Sequence, residues 1–213
     1  AIELGFADDV LTDEKKVVLV KPGYLWPNAP IHPAGRAGNV CIMGSFNWIA
    51  KQLNLRRFLD KNGKKIADNR ILLKIIGDVP ASFIAEIRAQ YPFVEFTGKV
   101  GKISDYTGDC RLGLNIDEVG GGFKIKIFEY VENNIPILAI KGTMNGVPMI
   151  PGRHYLEVEA DSDCAQVIVD AIADDSLLIT MADESFALMS DNFRWDNTTD
   201  ELVAKLDLAG HSV

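Results

Sequence analysis

The residues best suited to bind an anion form a glycine loop, Gly120 to Gly122, which leads into a helix-length segment at 123–134. Consecutive glycines disfavour regular structure and let the backbone come close to a ligand. The first turn of a helix has free N–H groups that carry partial positive charge. A glycine loop followed by such a turn is typical of a phosphate site. The sequence therefore predicts anion binding at this junction.

A second glycine turn, at 44–47, follows an apolar run and precedes another helical pattern. The same backbone argument makes Gly44 and Ser45 a second candidate phosphate site. Lys51 lies in the first turns of the following helix, where the helix dipole does not favour a cation. Lys51 therefore faces either an anion or solvent, and the sequence leaves both open.

Charged residues occupy one side of the helical segment at 123–134. Its apolar face consists of Phe123, Ile127, Tyr130 and Val131. Glu129 falls on the opposite side, near Lys126 and Asn133. Helical periodicity by itself favours a plain surface ion pair between Lys126 and Glu129.

The sequence contains three histidines and three cysteines, which are His32, His154, His211, Cys41, Cys110 and Cys164. They show no spacing typical of zinc ligands, and no serine or cysteine stands in a nucleophile pattern with a histidine. We therefore expect no metal site. The cysteines are interpreted as small buried thiols of a reducing compartment.

Short apolar runs and helical patterns alternate along the chain. Strands are predicted at 17–20, 40–44, 71–77, 93–96, 111–116, 136–140 and 155–158. Helices are predicted at 48–61, 81–90, 123–134, 163–173, 176–190 and 198–207. Asn62 and Gly63 are expected to close the first helix, and Thr198 or Thr199 to cap the last. This alternation predicts a Rossmann-like, doubly wound α/β fold with a parallel sheet of about six strands. Ligands of such sheets bind beyond the carboxyl ends of the strands.

Composition excludes several classes of protein. The chain has 213 residues and a formal net charge of −8, which argues against a general nucleic-acid binder. No apolar run approaches the roughly 18 residues that a membrane span needs. A dinucleotide fingerprint of glycines is also missing after the strand at 40–44.

The segment from Asp117 to Ile140 resembles the signature of group 1 glycosyltransferases, the retaining enzymes of GT-B type. Gly122, Phe123, Glu129 and the run from Pro136 to Ala139 stand in register with that signature. The first glutamate of the family pattern would fall at Gly121 and is absent, and Glu118 is the nearest carboxylate.

The resemblance implies roles for individual residues. Glu129 would accept hydrogen bonds from the ribose hydroxyls, which suits a carboxylate because two oxygens can accept from two hydroxyls. Lys51 would bind the donor diphosphate, whereas Ser45 takes the place of a family arginine. Lys124 or Lys126 would add positive charge near Gly121, Gly122 and Phe123.

Two further stretches match the family pattern. Lys99 and Val100 fall where the family backbone borders the base. Trp195 matches an aromatic motif and is most simply a core anchor for the last helices.

The resemblance also implies a domain plan. Residues 1–38 would be the tail of a first half and a hinge, and 39–213 the nucleotide-sugar-binding domain, the C-terminal half of a GT-B fold. The implied activity is that of a retaining, hexosyltransferase-like glycosyltransferase, incomplete as an isolated chain. The alternatives are a non-catalytic nucleotide-sugar-binding module and a sugar-nucleotide epimerase of GT-B architecture.

The expected partners are a nucleotide-sugar donor, a glycan or lipid-linked acceptor, and the missing acceptor half. No cofactor is expected beyond the donor substrate, and no metal. We expect a cytoplasmic location, with peripheral attachment at the inner membrane face as a variant of it.

Overall fold

The computed structural model describes residues 22–27, 35–118 and 124–210, and the side chains of these residues as far as 204. Its strands are β1 (Asn39–Met43), β2 (Leu73–Ile76), β3 (Val94–Gly98), β4 (Cys110–Asn115), β5 (Ile137–Ile140) and β6 (Leu156–Val158). Its helices are α1 (Ile49–Asp68), α2 (Ala81–Gln90), α3 (Ser104–Thr107), α4 (Lys126–Glu132), α5 (Cys164–Ile172), α6 (Asp175–Asn192) and α7 (Trp195–Gly210). The strand predicted at 17–20 and the glycine loop with Phe123 lie outside the described residues.

The six described strands form one sheet in the order β3-β2-β1-β4-β5-β6, and every neighbouring pair is parallel. Strands in such a sheet are covered on both faces, which explains why they read as almost continuous apolar runs. Val40 pairs with Leu73 and Ile42 with Ile75 at the centre of the sheet. The predicted doubly wound Rossmann-like fold is confirmed.

The core is divided between the two faces of the sheet. On one face, α1, α2 and α5 bury Leu55, Phe83 and Ile168. On the other face, α4 and α6 bury Phe128 and Met189. None of the helices in the described part of the chain is long and apolar enough to cross a bilayer.

Helix α1 continues past its predicted end at 61 to Asp68. Asn62 and Gly63 do not stop it, because both serve packing contacts. The Asn62 side chain accepts a hydrogen bond from the backbone of Ala165 at 3.0 Å. A Cβ on Gly63 would stand 3.0 Å from the ring of Tyr91, so the glycine lets that ring lie close to the helix.

The last helix also differs from the prediction. It begins at Trp195, and the hydroxyls of Thr198 and Thr199 donate to carbonyls one turn earlier instead of capping it. Trp195 is 56% exposed, so its predicted role as a core anchor is wrong. The buried aromatic residue at this point is Phe193.

The segment 22–27 packs against the start of α7 and the end of α6. The Tyr24 amide and the Trp26 indole both donate to the Phe193 carbonyl, at 2.8 and 3.2 Å. The Tyr24 ring also lies against Trp26 and Phe128. The boundary at residue 38 stays a prediction, but these six residues border the sheet domain directly.

Candidate functional site

The carboxyl ends of β1 and β4 form the point at which the winding of the sheet reverses. From β1 the chain passes to β2 on one side, and from β4 it passes to β5 on the other. Connections that leave in opposite directions open a crevice between the two strands, which is where sheets of this kind bind ligands. The predicted residues after these strands therefore meet at one edge.

The turn after β1 brings the backbone of Gly44 close to the ammonium group of Lys51. Gly44 has a φ of +146°, and a Cβ on the neighbouring Gly77 (φ +134°) would stand 2.1 Å from the Gly44 carbonyl oxygen. Only glycine allows this approach of the two backbones. Lys51 returns from α1 to this turn, so that its Nζ lies 2.7 Å from where a Gly44 Cβ would be. Ser45 is exposed beside them.

The turn after β4 provides a buried ion pair. The ammonium of Lys126 donates to Asp117 Oδ2 at 2.7 Å, and the two side chains are only 11% and 10% exposed. The surface pair between Lys126 and Glu129 that periodicity favoured is therefore absent. The pKa of Lys126 is lowered to about 8: burial lowers it most, the Asp117 carboxylate partly offsets this by raising it, and the charges of Lys51 and Lys124 contribute to the lowering.

Helix α4 is fixed to the sheet by Tyr130. The Tyr130 hydroxyl accepts from the Met43 amide at 2.9 Å and donates to the Leu114 carbonyl at 3.0 Å. It thus bridges β1 and β4 beyond their last paired residues, Cys41 and Gly113. A Cβ on Gly113 would lie 2.4 Å from the Tyr130 ring, so this ring position requires glycine beneath it.

Glu129, the residue before this anchor, lines a cleft of about 680 Å³. The other walls come from the ends of β1 and β2, from the loop 99–104 after β3, and from Tyr24 and Pro27. Within the described ranges no group donates a hydrogen bond to the Glu129 carboxylate, and the Glu129 backbone carbonyl accepts from the amide and the side chain of Asn133. Burial, and then the charge of Glu132, raise the pKa of Glu129.

The second carboxylate in the cleft is held by the segment 22–27. The Tyr24 hydroxyl donates to Glu132 Oε2 at 2.6 Å. Burial, followed by this bond, raises the pKa of Tyr24, so the phenol stays a donor. The Glu132 carboxylate therefore already accepts a hydrogen bond, whereas the Glu129 carboxylate has no donor among the described residues and lines the cleft.

The structure brings together most of the predicted site. Gly44, Ser45 and Glu129 line the cleft with Lys99 and Val100, and Lys51 lies against Gly44. Lys124 lies close enough to affect Lys126. Gly121, Gly122 and Phe123 lie outside the described residues, so their roles stay predictions.

Helix α4 begins at Lys126 and has seven residues, so it is shorter than the predicted segment 123–134.

His154 is buried, and its Nδ1 accepts from the Ile150 amide, which is a structural role. The three cysteines are buried free thiols. Among the described residues, no three or more His, Cys, Asp or Glu side chains come together in a way that could hold a metal ion.

Sequence reasoning missed Asp117, Tyr24 and Glu132 and gave Tyr130 only a packing role. Asp117 could have been found, since it directly follows the predicted strand at 111–116. Tyr24 and Glu132 are 108 residues apart, so no local pattern connects them.

No protein-family model and no curated protein sequence matches the chain. Its fold is similar to solved structures. HepE of Anabaena, solved with UDP and glucose, is 16% identical, with a TM-score of 0.67 over 81% of this chain and 48% of its own. TarM of S. aureus, solved with fondaparinux, alpha-GlcNAc-glycerol and UDP, is 13% identical, with a TM-score of 0.72 over 91% of this chain and 40% of its own.

The C-terminal domain of a group 1 family glycosyl transferase, LpcC from Francisella tularensis, is 13% identical with a TM-score of 0.59. It is matched over 74% of this chain and 86% of its own. The chain thus spans less than half of the HepE and TarM chains but most of an isolated C-terminal domain. The resemblance to the C-terminal half of a GT-B glycosyltransferase is confirmed at the level of the fold.

Proposed function

We propose that this chain is the donor-binding half of a glycosyltransferase that transfers a sugar from a nucleoside-diphosphate sugar. The observation that carries the proposal is the Glu129 carboxylate, which is half-buried in the cleft and has no partner among the described side chains. A partly buried acceptor is stabilised when a donor reaches it. A ribose diol provides two such donors.

The surroundings of Glu129 support the placement of a whole nucleotide. Lys99 and Val100 line the same cleft as Glu129, in the loop after β3 where a base could contact main-chain groups. Lys51 lies against Gly44 at the end of the same cleft. The nucleoside would extend from Glu129 toward the loop 99–104, and its diphosphate toward Gly44 and the lysines.

The chemical task of this half is stabilisation of the leaving group. Negative charge develops on the diphosphate as the bond to the sugar breaks, and fixed cations stabilise that charge most in a partly dry site. Lys51, Lys124 and Lys126 provide ammonium groups at the switch point. We propose that lysine charge does this without a metal ion, so that EDTA leaves nucleotide binding unchanged.

The proposal extends to partners and stereochemistry. The acceptor would bind to a second half, and retention of configuration follows from the family resemblance. Nuclear magnetic resonance of the product formed by the chain joined to such a half would identify the anomer. The cytoplasmic location and peripheral membrane attachment stay predictions.

Calorimetric titration with UDP, GDP and ADP tests the donor site. We expect one nucleotide to bind, and Glu129→Ala to weaken its binding by about 1–3 kcal/mol, because ribose hydroxyls lose their acceptor. Glu159→Ala is the matched control, since Glu159 is an exposed carboxylate paired with Lys141 and does not line this cleft. Binding that is unchanged in Glu129→Ala would contradict the ribose assignment.

A non-catalytic nucleotide-sugar-binding module is the second candidate. It is favoured by Ser45, an exposed neutral side chain where the family resemblance implies an arginine. Nucleotide binding without transfer by the chain joined to an acceptor half would support it. No observation favours the epimerase alternative.

A further inference from the structure

The Lys126 ammonium at the switch point of the sheet has a single hydrogen-bond partner within the described part of the chain. An ammonium group has three N–H donors. Among the residues that the structure describes, Asp117 is its one hydrogen-bond partner, at 2.7 Å, although the lysine side chain is only 11% exposed. A buried donor without an acceptor is costly. The position therefore suits a ligand that brings acceptor oxygens.

The charges around Lys126 also favour an anion. The described groups that act on it are Asp117 after β4, Lys51 from α1 and Lys124 just before α4. The ammonium groups of Lys51 and Lys124 therefore act on the Lys126–Asp117 pair as well. Their positive charge would attract an anion such as a diphosphate to this edge of the sheet.

We propose that Asp117 is a positioning residue that holds the Lys126 side chain in place and favours its charged form, and that diphosphate binding is coupled to uptake of a proton by the fraction of Lys126 that is still neutral. This inference rests on the proposed function, because it assigns a diphosphate to the same edge of the sheet. The proton comes from solvent, and the neutral Lys126 amine accepts it to become an ammonium.

The direction of the coupling follows from the sign of the pKa change. In the free protein the pKa of Lys126 is lowered to about 8, mainly by burial. An anion close to the ammonium favours the charged form and raises that pKa. Binding at a pH near or above 8 therefore takes up a proton, and affinity falls as the pH rises. If the bound-state pKa exceeds 10, the dissociation constant increases about tenfold from pH 7 to pH 9.

Calorimetry of UDP binding in two buffers with different heats of ionisation measures the protons taken up. At pH 8 we expect about half a proton for each UDP, and close to none from Lys126 at pH 6.5. The terminal phosphate has a pKa of about 6, so the ligand is already ionised at pH 8 and does not cause the uptake.

Three variants separate the positioning role from a merely structural one. Lys126→Arg keeps a charge that does not titrate, so the uptake should vanish and the affinity should become constant between pH 7 and pH 9. Asp117→Asn should move the pH at which affinity falls to a lower value, because Lys126 loses the carboxylate that favours its charged form. Asp117→Glu should restore the wild-type profile. Lys64→Gln, which changes the exposed pair with Asp68, is the control and should leave the uptake unchanged.

A direct titration covers the case in which Asp117→Asn does not fold. The Cε resonance of Lys126, assigned by comparison with Lys126→Arg, should titrate near pH 8 in the free wild-type chain and above pH 10 with UDP bound.

Equal uptake in wild type and Lys126→Arg, or an unchanged Lys126 titration, would overturn the inference and leave the donor site intact. Failure of every nucleotide to bind would instead overturn the proposed function. In that case Lys126 is titrated in the presence of inorganic pyrophosphate. A pKa of Lys126 that pyrophosphate leaves unchanged would overturn the inference as well.

Discussion

Helices α1 and α4 both leave the carboxyl ends of the central strands, yet they are held in different ways. Each lies near a glycine that is covered by a tyrosine ring. For α1 the contact joins its own Gly63 to Tyr91, and the Tyr91 hydroxyl donates to Asp60 at the surface. For α4 the contact joins its Tyr130 to Gly113 of the sheet, and the hydroxyl reaches buried backbone.

The difference explains which helix depends on the sheet. Helix α1 has 20 residues and buries an apolar stripe along its length, whereas α4 has seven. A helix of two turns is unstable by itself in water, so its position must come from tertiary contacts. In α4 those contacts are its buried apolar side chains such as Phe128, the hydrogen bonds of Tyr130 and the Lys126–Asp117 pair. The helix that carries Glu129 is therefore the one whose geometry the sheet controls.

The largest expected effect is that of Gly113→Ala. The added methyl group would lie 2.4 Å from the Tyr130 ring, and overpacking of this kind costs about 1–3 kcal/mol. We also expect weaker nucleotide binding, because α4 and Glu129 must move. Urea unfolding and calorimetry measure the two effects. Gly108→Ala is the control, since nothing lies within 4 Å of its added methyl group. Equal stability of the two variants would refute the proposed anchor.

Tyr130→Phe should have the next largest effect. It keeps the ring but leaves the Met43 amide and the Leu114 carbonyl without their buried partner, at a cost of about 1–2 kcal/mol. Nucleotide affinity should fall as well, since the bond that fixes α4 is lost. A variant with wild-type stability and affinity would show that packing alone positions α4.

Gly63→Ala should change stability by about 1 kcal/mol or less, toward stabilisation. Alanine is favoured over glycine in a helix by roughly that amount. The Tyr91 ring, 3.0 Å from the new methyl group, is partly exposed and needs to move by only a few tenths of an ångström. Thermal unfolding provides the measurement. A clear loss of stability would mean that the contact at α1 is as rigid as that at α4.

Tyr91→Phe should have the smallest effect, under about 0.5 kcal/mol, because its hydroxyl bonds an exposed carboxylate. Nucleotide binding should not change. A urea midpoint shifted as far as that of Tyr130→Phe would remove the distinction between the two tyrosines.

Much of the fold could be predicted because it rests on local periodicity. The core strands lie within about two residues of their predicted positions, and α2 coincides with its prediction. The predictions were wrong where residues typical of a helix end lie inside a helix instead. Asn62 and Gly63 look like a helix end but accommodate Ala165 and Tyr91. Thr198 and Thr199 look like caps but lie inside α7.

The site was predicted in part for a similar reason. Gly44, Lys51 and Glu129 follow strands or begin helices, and the parallel sheet brings such positions to one edge. The helical wheel placed Lys126 and Glu129 together at the surface. Instead, the first is buried against Asp117 and the second lines a cleft. A wheel describes one helix, whereas the burial of a charge depends on every element that borders it.

By itself, the sequence determined the element types, the parallel sheet and the edge at which the candidate site lies, because propensity and hydrophobic period act over a few residues. Only the tertiary structure decided that Asp117 pairs with Lys126 and that the Tyr24 hydroxyl donates to Glu132. It also decided that the Glu129 carboxylate lines the cleft. These pairings depend on how the carboxyl ends of different strands come together and on which side chains are buried there. Residues far apart in the sequence determine both, so local spacing cannot predict them.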